Sequence, residues 1–199
     1  MSFKKKDLIF SKEGIYLPNG EVVMSEWQGS IMKKSADFVC QNGGHILEIG
    51  FGIGVASQCI QNNNIESHTI CEIHPQIQTR LKKWAWEKEE DIIILGDWFE
   101  NLMTWKDNAD QSRQFDGILY NGYQDTNHYM FRKLVELVAN DNCKVTWWNN
   151  RPREWNEMKL PNVNFEQVPV NPPQNNYFNH KVYFMPKYTH KWQQEQHRN

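Results

Sequence analysis

From residue 45 onward, short apolar runs alternate with stretches of helical spacing. "HILEIG" (45–50), "SHTICEI" (67–73), "DIIIL" (91–95), "FDGILY" (115–120) and "CKVTWW" (143–148) are brief, β-branched or aromatic, and predict strands. Between them Val55–Gln61, a segment opened by Pro75, and Thr126–Ala139 predict helices, with the proline in the first turn that tolerates it. Two further runs, "VNFEQVPV" (163–170) and "NYFNHKVYFMP" (176–186), are separated only by a short Asn/Pro/Gln loop and predict an antiparallel pair. The expected fold is α/β: a doubly wound, mostly parallel seven-stranded sheet of Rossmann-like type, closed by that pair.

Ahead of the alternation, "DLIFSKEGIYLPNGEVVM" carries apolar runs on either side of Pro18-Asn19-Gly20 and predicts a hairpin-like arm. From Ser25 to about Val39 the stripe Trp27, Ile31, Met32, Ala36 and Val39 predicts a helix, with Ser35 as its polar break and Gly43-Gly44 as its stop. The expected division is an arm over residues 1–22, a domain over 23–188 and a polar tail over 189–199. Lys4, Lys5 and Lys6 read as a solvated terminus.

Composition narrows the class. A chain of 199 residues that is 39% apolar and 13% aromatic can bury a core in one domain, and a formal charge of −2 gives no global attraction to nucleic acid or anionic membrane. No apolar run is long enough for a membrane span and no secretory leader opens the chain, so a cytoplasmic protein is expected. Cys40, Cys59, Cys71 and Cys143 form no C-x-x-C pair and read as buried free thiols. No metal site is expected.

The chemistry gathers after the first strand of the alternation. Gly50, Gly52 and Gly54 follow it at single-residue spacing, so something is expected to approach the chain closely there, and a nucleotide-like ligand is the default for such a loop. A dinucleotide fingerprint G-x-G-x-x-G fails, because its third position falls on Val55 or Ser57. The order E-x-G-x-G-x-G from Glu48 instead resembles the first motif of S-adenosylmethionine-dependent methyltransferases. Glu72, 22 residues past Gly50, is placed to accept ribose hydroxyls. Asp97 and Trp98 have two readings: an adenine contact, or a capped helix start with a core tryptophan.

"FDGILYNGY" (115–123), together with "EVVMSEWQGSIM", "LEIGFGIGVAS", "LGDWFE" and "NPPQNNYFNHKVYFMP", looks like the guanidinoacetate N-methyltransferase family, which resembles the C-terminal domain of fungal-type arginine N-methyltransferases. The likeness runs from about Val23 to Tyr188. It implies S-adenosylmethionine as cofactor and S-adenosylhomocysteine as product. By the same resemblance Met24 and Met32 line the sulfonium side, Glu48 and the glycines form the first motif, Glu72 holds the ribose, and Trp98 flanks the adenine with Asp97 and Tyr120 nearby. An aromatic N-terminal arm covers the site in that family, and the resemblance makes "IFSKEGIYL" its expected shorter counterpart.

The chain departs from that family where guanidinium is gripped. The glutamate after the tryptophan of "VM..W" is Gln28 here, and the aspartate after "FDGILY" is Asn121. An amide is neutral, both donates and accepts, and is no base at neutral pH. Gln28, Asn121 and Tyr123 are therefore expected to orient a nitrogen of a small-molecule acceptor other than guanidinium. Asn121-Gly122-Tyr123 also faintly resembles the Asn-Pro-Pro-Tyr loop of enzymes that methylate planar amino groups of bases or glutamine. "NPPQ" at 171–174 reads as an extended loop instead.

Proton acceptors by residue type are His74 and His128, with Glu26 and Asp125 as reserve acids. Trp147 is expected in the core, Trp148 and Trp155 in the core or at a pocket rim, and Asn149 is a weaker site residue. Two rival classes stay open: a cofactor-binding protein without transferase activity, and a nicotinamide oxidoreductase. Methylation of nucleic acid would ask for a basic groove beyond Lys4–Lys6, Lys82-Lys83, Arg151 and Arg153.

Overall fold

The structure is a computed structural model that describes residues 3–88, 92–102, 114–122, 128–175 and 177–191. An arm of three short antiparallel strands opens it: β1 (Ile9–Phe10), β2 (Gly14–Tyr16) and β3 (Val22–Ser25). Its last strand runs through Ser25, so Met24 belongs to the arm's sheet. A 3-10 turn, Glu26–Gln28, leads into α1 (Gly29–Val39); the helix expected from Ser25 begins only at Gly29.

The alternation follows as β4 (His45–Ile49), α2 (Val55–Gln61), β5 (Ser67–Cys71), α3 (Pro75–Trp86), β6 (Ile92–Leu95), α4 (Trp98–Leu102), β7 (Phe115–Tyr120), α5 (His128–Val138), β8 (Ala139–Trp147), β9 (Asn164–Pro169) and β10 (Val182–Thr189). These seven strands make one sheet in the order β6-β5-β4-β7-β8-β10-β9, with the first five parallel and β10 antiparallel to both neighbours. The chain starts in the middle, winds outward through β6, and returns to the other side of β4 at β7. At that reversal the loops after β4 and β7 leave in opposite directions and open a crevice.

Strand alternation assigns the two faces. Leu47, Ile49, Ile118, Tyr120, Val145 and Trp147 face α5, whose Phe131, Leu134, Val135 and Val138 recur at helical spacing and are fully buried. Ile46 and Leu119 face α1, packing with Ile31, Met32, Ala36 and Val39. Ser35 does not break that helix face: it is buried, and its hydroxyl donates to Met185 Sδ at 3.4 Å.

Other expectations shift. β8 begins at Ala139 directly after α5, four residues before Cys143; Asn142, at φ 68°, absorbs a register irregularity against β7. The predicted helix residues 126 and 127 lie outside the described residues. The lysine run is no solvated terminus: Phe3–Lys5 forms a 3-10 turn, and Lys4 Nζ lies 3.1 Å from Asp97 Oδ2. Nor does a free tail start at 189, because Thr189 pairs with Lys144 and His190 is buried. All four cysteines are unpaired. No helix among the described residues is long and apolar enough to cross a membrane.

Phe131 is fully buried and its ring stacks on Tyr120 at 4.3 Å. Phe131→Ala is expected to lower unfolding stability by about 3–5 kcal/mol in a denaturant titration.

Candidate active site

Register builds the site. Ile49 pairs with both Cys71 and Tyr120, Cys71 pairs with Leu95, and Tyr120 pairs with Trp147. The ladder then runs one bond further on each strand: Gly50 N–H donates to Cys71 O, Glu72 N–H to Leu95 O, Asn121 N–H to Ile49 O and Trp148 N–H to Tyr120 O. Gly96, Glu72, Gly50, Asn121 and Trp148 therefore stand abreast along the carboxyl edge. They line a cleft of about 1140 Å³, whose far wall includes Phe3, Lys4 and residues 19–24 of the arm.

Of the residues expected at the site, Met24, Gln28, Gly50, Gly52, Glu72, Asp97, Trp98, Tyr120 and Asn121 line this cleft. Met32, Glu48 and Gly54 do not. Alternation turns Glu48 to the α2 side, where it is fully buried, accepts the Ser57 hydroxyl at 2.5 Å and lies 3.1 Å from His68 Nε2. It anchors the loop from beneath. Tyr123 and Asp125 lie outside the described residues.

What approaches the glycines is the chain itself. Gly50 sits at φ 93° with its α-carbon against the Asn121 carbonyl, and a Cβ would overlap that oxygen; at Gly52 (φ 58°) a Cβ would overlap Met24 Sδ. The first glycine lets β7's exit cross the loop, and the second seats the arm's methionine on it.

Glu72 is 4% exposed, yet its carboxylate accepts Phe51 N–H at 3.1 Å and His74 N–H at 2.8 Å. Burial raises its pKa above the usual carboxylate value, and the backbone donors pull the other way. A folded value above the unfolded one means that ionising this group costs stability as pH rises through the raised value. A carboxylate kept against that cost on a cleft wall suits a ligand. Asp97 satisfies the capping reading: Oδ1 accepts Phe99 N–H at 2.9 Å at the start of α4, and Oδ2 pairs with Lys4. Trp98 packs edge-on against Tyr120 in the core while one side still borders the cleft.

At the other end Gln28 is 5% exposed, and its Nε2 donates to the Tyr177 hydroxyl at 3.0 Å; Trp27 Nε1 donates to the same oxygen at 3.0 Å. Asn121 Nδ2 lies 3.7 Å from Met32 Sδ. Glu26 has not replaced the missing acids: it is exposed and off the cleft. His74 is 1% exposed, caps α3 by accepting Gln76 N–H and holds the Lys6 carbonyl at 2.8 Å, so it ties down the arm. His128 lines the cleft, with Nε2 3.5 Å from Glu157 Oε1, which lines it too. Asn149 is a clasp: buried, it donates through Nδ2 to the Arg153 and Phe184 carbonyls and accepts Arg151 N–H. Trp147 is core, Trp148 borders the cleft, and Trp155 is exposed with Arg151 and Arg153 over its ring.

Tyr177, Glu157 and Met158 were missed as site residues. Tyr177 lies inside "NPPQNNYFNHKVYFMP" but far in sequence from Trp27 and Gln28, and the β9–β10 loop brings its hydroxyl to them. Strand register could have placed Trp148, one step past the residue that pairs with Tyr120.

The sequence profile described as guanidinoacetate N-methyltransferase matches residues 13–152. The chain is 34% identical over 116 residues to protein arginine N-methyltransferase 2 of Candida glabrata, covering 56% of this chain and 27% of that protein. It is 31% identical over 131 residues to the Saccharomyces cerevisiae protein of that name, covering 63% and 30%. It thus spans less than a third of the length of these two relatives. Among solved structures, spermidine synthase from Thermotoga maritima superposes with a TM-score of 0.63 at 12% identity over 92% of this chain and 72% of that one. The N-methyltransferase NodS from Bradyrhizobium japonicum WM9, in complex with S-adenosyl-L-homocysteine, gives 0.58 at 11% identity over 82% and 87%. At such identities these two establish the fold.

Gly50→Ala sets a Cβ against the Asn121 carbonyl at a φ that alanine rarely adopts. It is expected to cost more than about 2 kcal/mol in unfolding stability, and more than Gly20→Ala, whose Cβ meets nothing within 4 Å.

Proposed function

The chain belongs to the guanidinoacetate N-methyltransferase family of S-adenosylmethionine-dependent methyltransferases, and from that premise we propose that it methylates a nitrogen of an uncharged small-molecule acceptor. One observation carries the reading. Where the family resemblance implies two carboxylates, the cleft presents the amides of Gln28 and Asn121, with Gln28 held by Tyr177. Replacing a charge-assisted contact by a neutral one forfeits about 1–3 kcal/mol each for a guanidinium.

The residues fit the cofactor. Glu72 stands at the end of β5 for the ribose hydroxyls, Trp98 and Phe99 border the β6 end where the adenine belongs, and Gly50 and Gly52 keep the loop low beneath it. Glu48 supports that loop from behind and touches no ligand. Bound there, S-adenosylmethionine supplies an electrophilic methyl carbon, the S–C pair staying on sulfur as the N–C bond forms and one N–H proton leaves. Gln28 and Asn121 orient the nitrogen, and Met24, Tyr177 and the arm exclude water from it. His128, held by Glu157, takes the proton; among the described residues it is the histidine on the cleft wall. Residues 3–22 act as the cover, since Phe3, Lys4 and Asn19–Val22 line the far wall.

The names of the relatives favour a second reading, a protein acceptor. A protein's arginine brings a guanidinium, so it meets the same two neutral amides. That reading requires the unmodified chain to label a protein.

Glu72→Ala is expected to weaken S-adenosylmethionine binding at least about tenfold by calorimetry; unchanged affinity would show that the cofactor lies elsewhere. The double substitution Gln28→Glu with Asn121→Asp restores the two acids and is expected to bind guanidinoacetate at least about tenfold more tightly than the unmodified chain. His128→Gln is expected to lower kcat in a steady-state assay while leaving cofactor affinity unchanged by calorimetry.

A further inference from the structure

Resting on the reading of this cleft as a methyl-acceptor site, we infer that the acceptor carries its reacting NH2 on a carbon that also bears a hydrogen-bond acceptor, as in a primary carboxamide or an amino-heterocycle, and that the Tyr177 hydroxyl recognises this second atom.

Hydrogen-bond accounting leads there. An indole nitrogen can only donate, so Trp27 Nε1, at 3.0 Å, gives its proton to the Tyr177 oxygen; Gln28 Nε2, also at 3.0 Å, does the same. Both lone pairs of that oxygen are then taken. The Tyr177 proton goes to neither neighbour, and the residue lines the cleft, so the cleft receives an O–H donor. Two donations into one oxygen polarise its O–H bond and strengthen it as a donor. Burial pushes the phenol up to about 12, so the proton stays in place around neutral pH.

The amides supply the opposite half. Gln28 has spent its NH2 on Tyr177, and Asn121 has turned its own toward Met32 Sδ at 3.7 Å, which leaves Oε1 and Oδ1 as their polar atoms for the cleft. One donor beside two neutral acceptors complements a carboxamide edge. The C=O or ring nitrogen takes the Tyr177 proton, and the NH2 donates to the two amide oxygens. Trp148 adds a flat aromatic wall for a planar group. A guanidinium presents N–H donors only, so it opposes donor to donor at Tyr177 and finds no negative charge at position 28 or 121.

The test uses three probes with one ring and different polar groups: benzamide, phenylguanidinium and aniline. Each is titrated by NMR into the full chain saturated with S-adenosylhomocysteine, whose own binding is measured first by calorimetry. Benzamide is expected to bind at least about tenfold more tightly than either of the others. Tyr177→Phe is expected to abolish that preference by weakening benzamide, with phenylguanidinium unchanged. Equal or reversed ranking in the unmodified chain overturns the inference, as does a ranking that survives in folded Tyr177→Phe. A failure of that variant to fold leaves the ranking of the unmodified chain to decide. Absence of S-adenosylhomocysteine binding sinks the methyltransferase reading itself, whereas its binding with the wrong ranking sinks only the present inference.

Discussion

Four parallel strands end in register, and the bonds that carry the ladder one residue further set the geometry of everything that follows. Because Leu95, Cys71, Ile49 and Tyr120 are cross-paired, the next residues, Gly96, Glu72, Gly50 and Asn121, line up on one edge without any contact among their side chains being needed. The reversal of strand order between β4 and β7 then opens a cleft at that edge rather than a packed surface. Gly50 makes the arrangement possible, since any side chain there would collide with the Asn121 carbonyl and force β4 and β7 apart.

On this edge the two ends of the cleft differ in chemistry. The Glu72 end is charged and rigid, with the carboxylate held in backbone N–H groups. The Gln28 end is aromatic, with amides at positions 28 and 121: Trp27, Tyr177, Phe178 and Trp148 pack around it, with Trp27 stacked on Phe178 at 5.8 Å. A positively charged acceptor would have to shed water there and meet the amides of Gln28 and Asn121 in place of carboxylates. An uncharged, flat acceptor loses much less. The N-terminal arm joins both ends, because Lys4 pairs with Asp97, Lys6 is tied to His74, and Met24 rests on the glycine loop.

Much of this was legible in the sequence, and the limits have physical causes. Short β-branched runs separated by helical spacing gave the order of strands and helices, and Val55–Gln61 stands where periodicity put it, because local pattern and burial agree at those positions. Glu72 was placed by its strand end, and Asn121 by the family resemblance, as the residue that follows "FDGILY". Glu48 was read as a site residue because it belongs to the motif, yet the two-residue period of β4 turns it away from the cleft, to His68 and Ser57. Lys4–Lys6 looked solvated because nothing local marks Asp97 and His74 as their partners. Glu157 was invisible for the same reason, and Tyr177, though inside "NPPQNNYFNHKVYFMP", was not singled out because no periodicity encodes the loop that carries it to the cleft. Ser35 shows the converse, a polar residue in a core stripe satisfied by the Met185 sulfur.

The most direct test of the central claim is mass spectrometry of products from the purified chain with S-adenosylmethionine bearing a deuterated methyl group and a panel of guanidinoacetate, arginine, small amines, carboxamides and amino-heterocycles. The account predicts label on nitrogen of an uncharged acceptor and none on guanidinoacetate or arginine. Efficient labelling of guanidinoacetate would contradict it, because Gln28 and Asn121 would then serve the chemistry for which carboxylates are required.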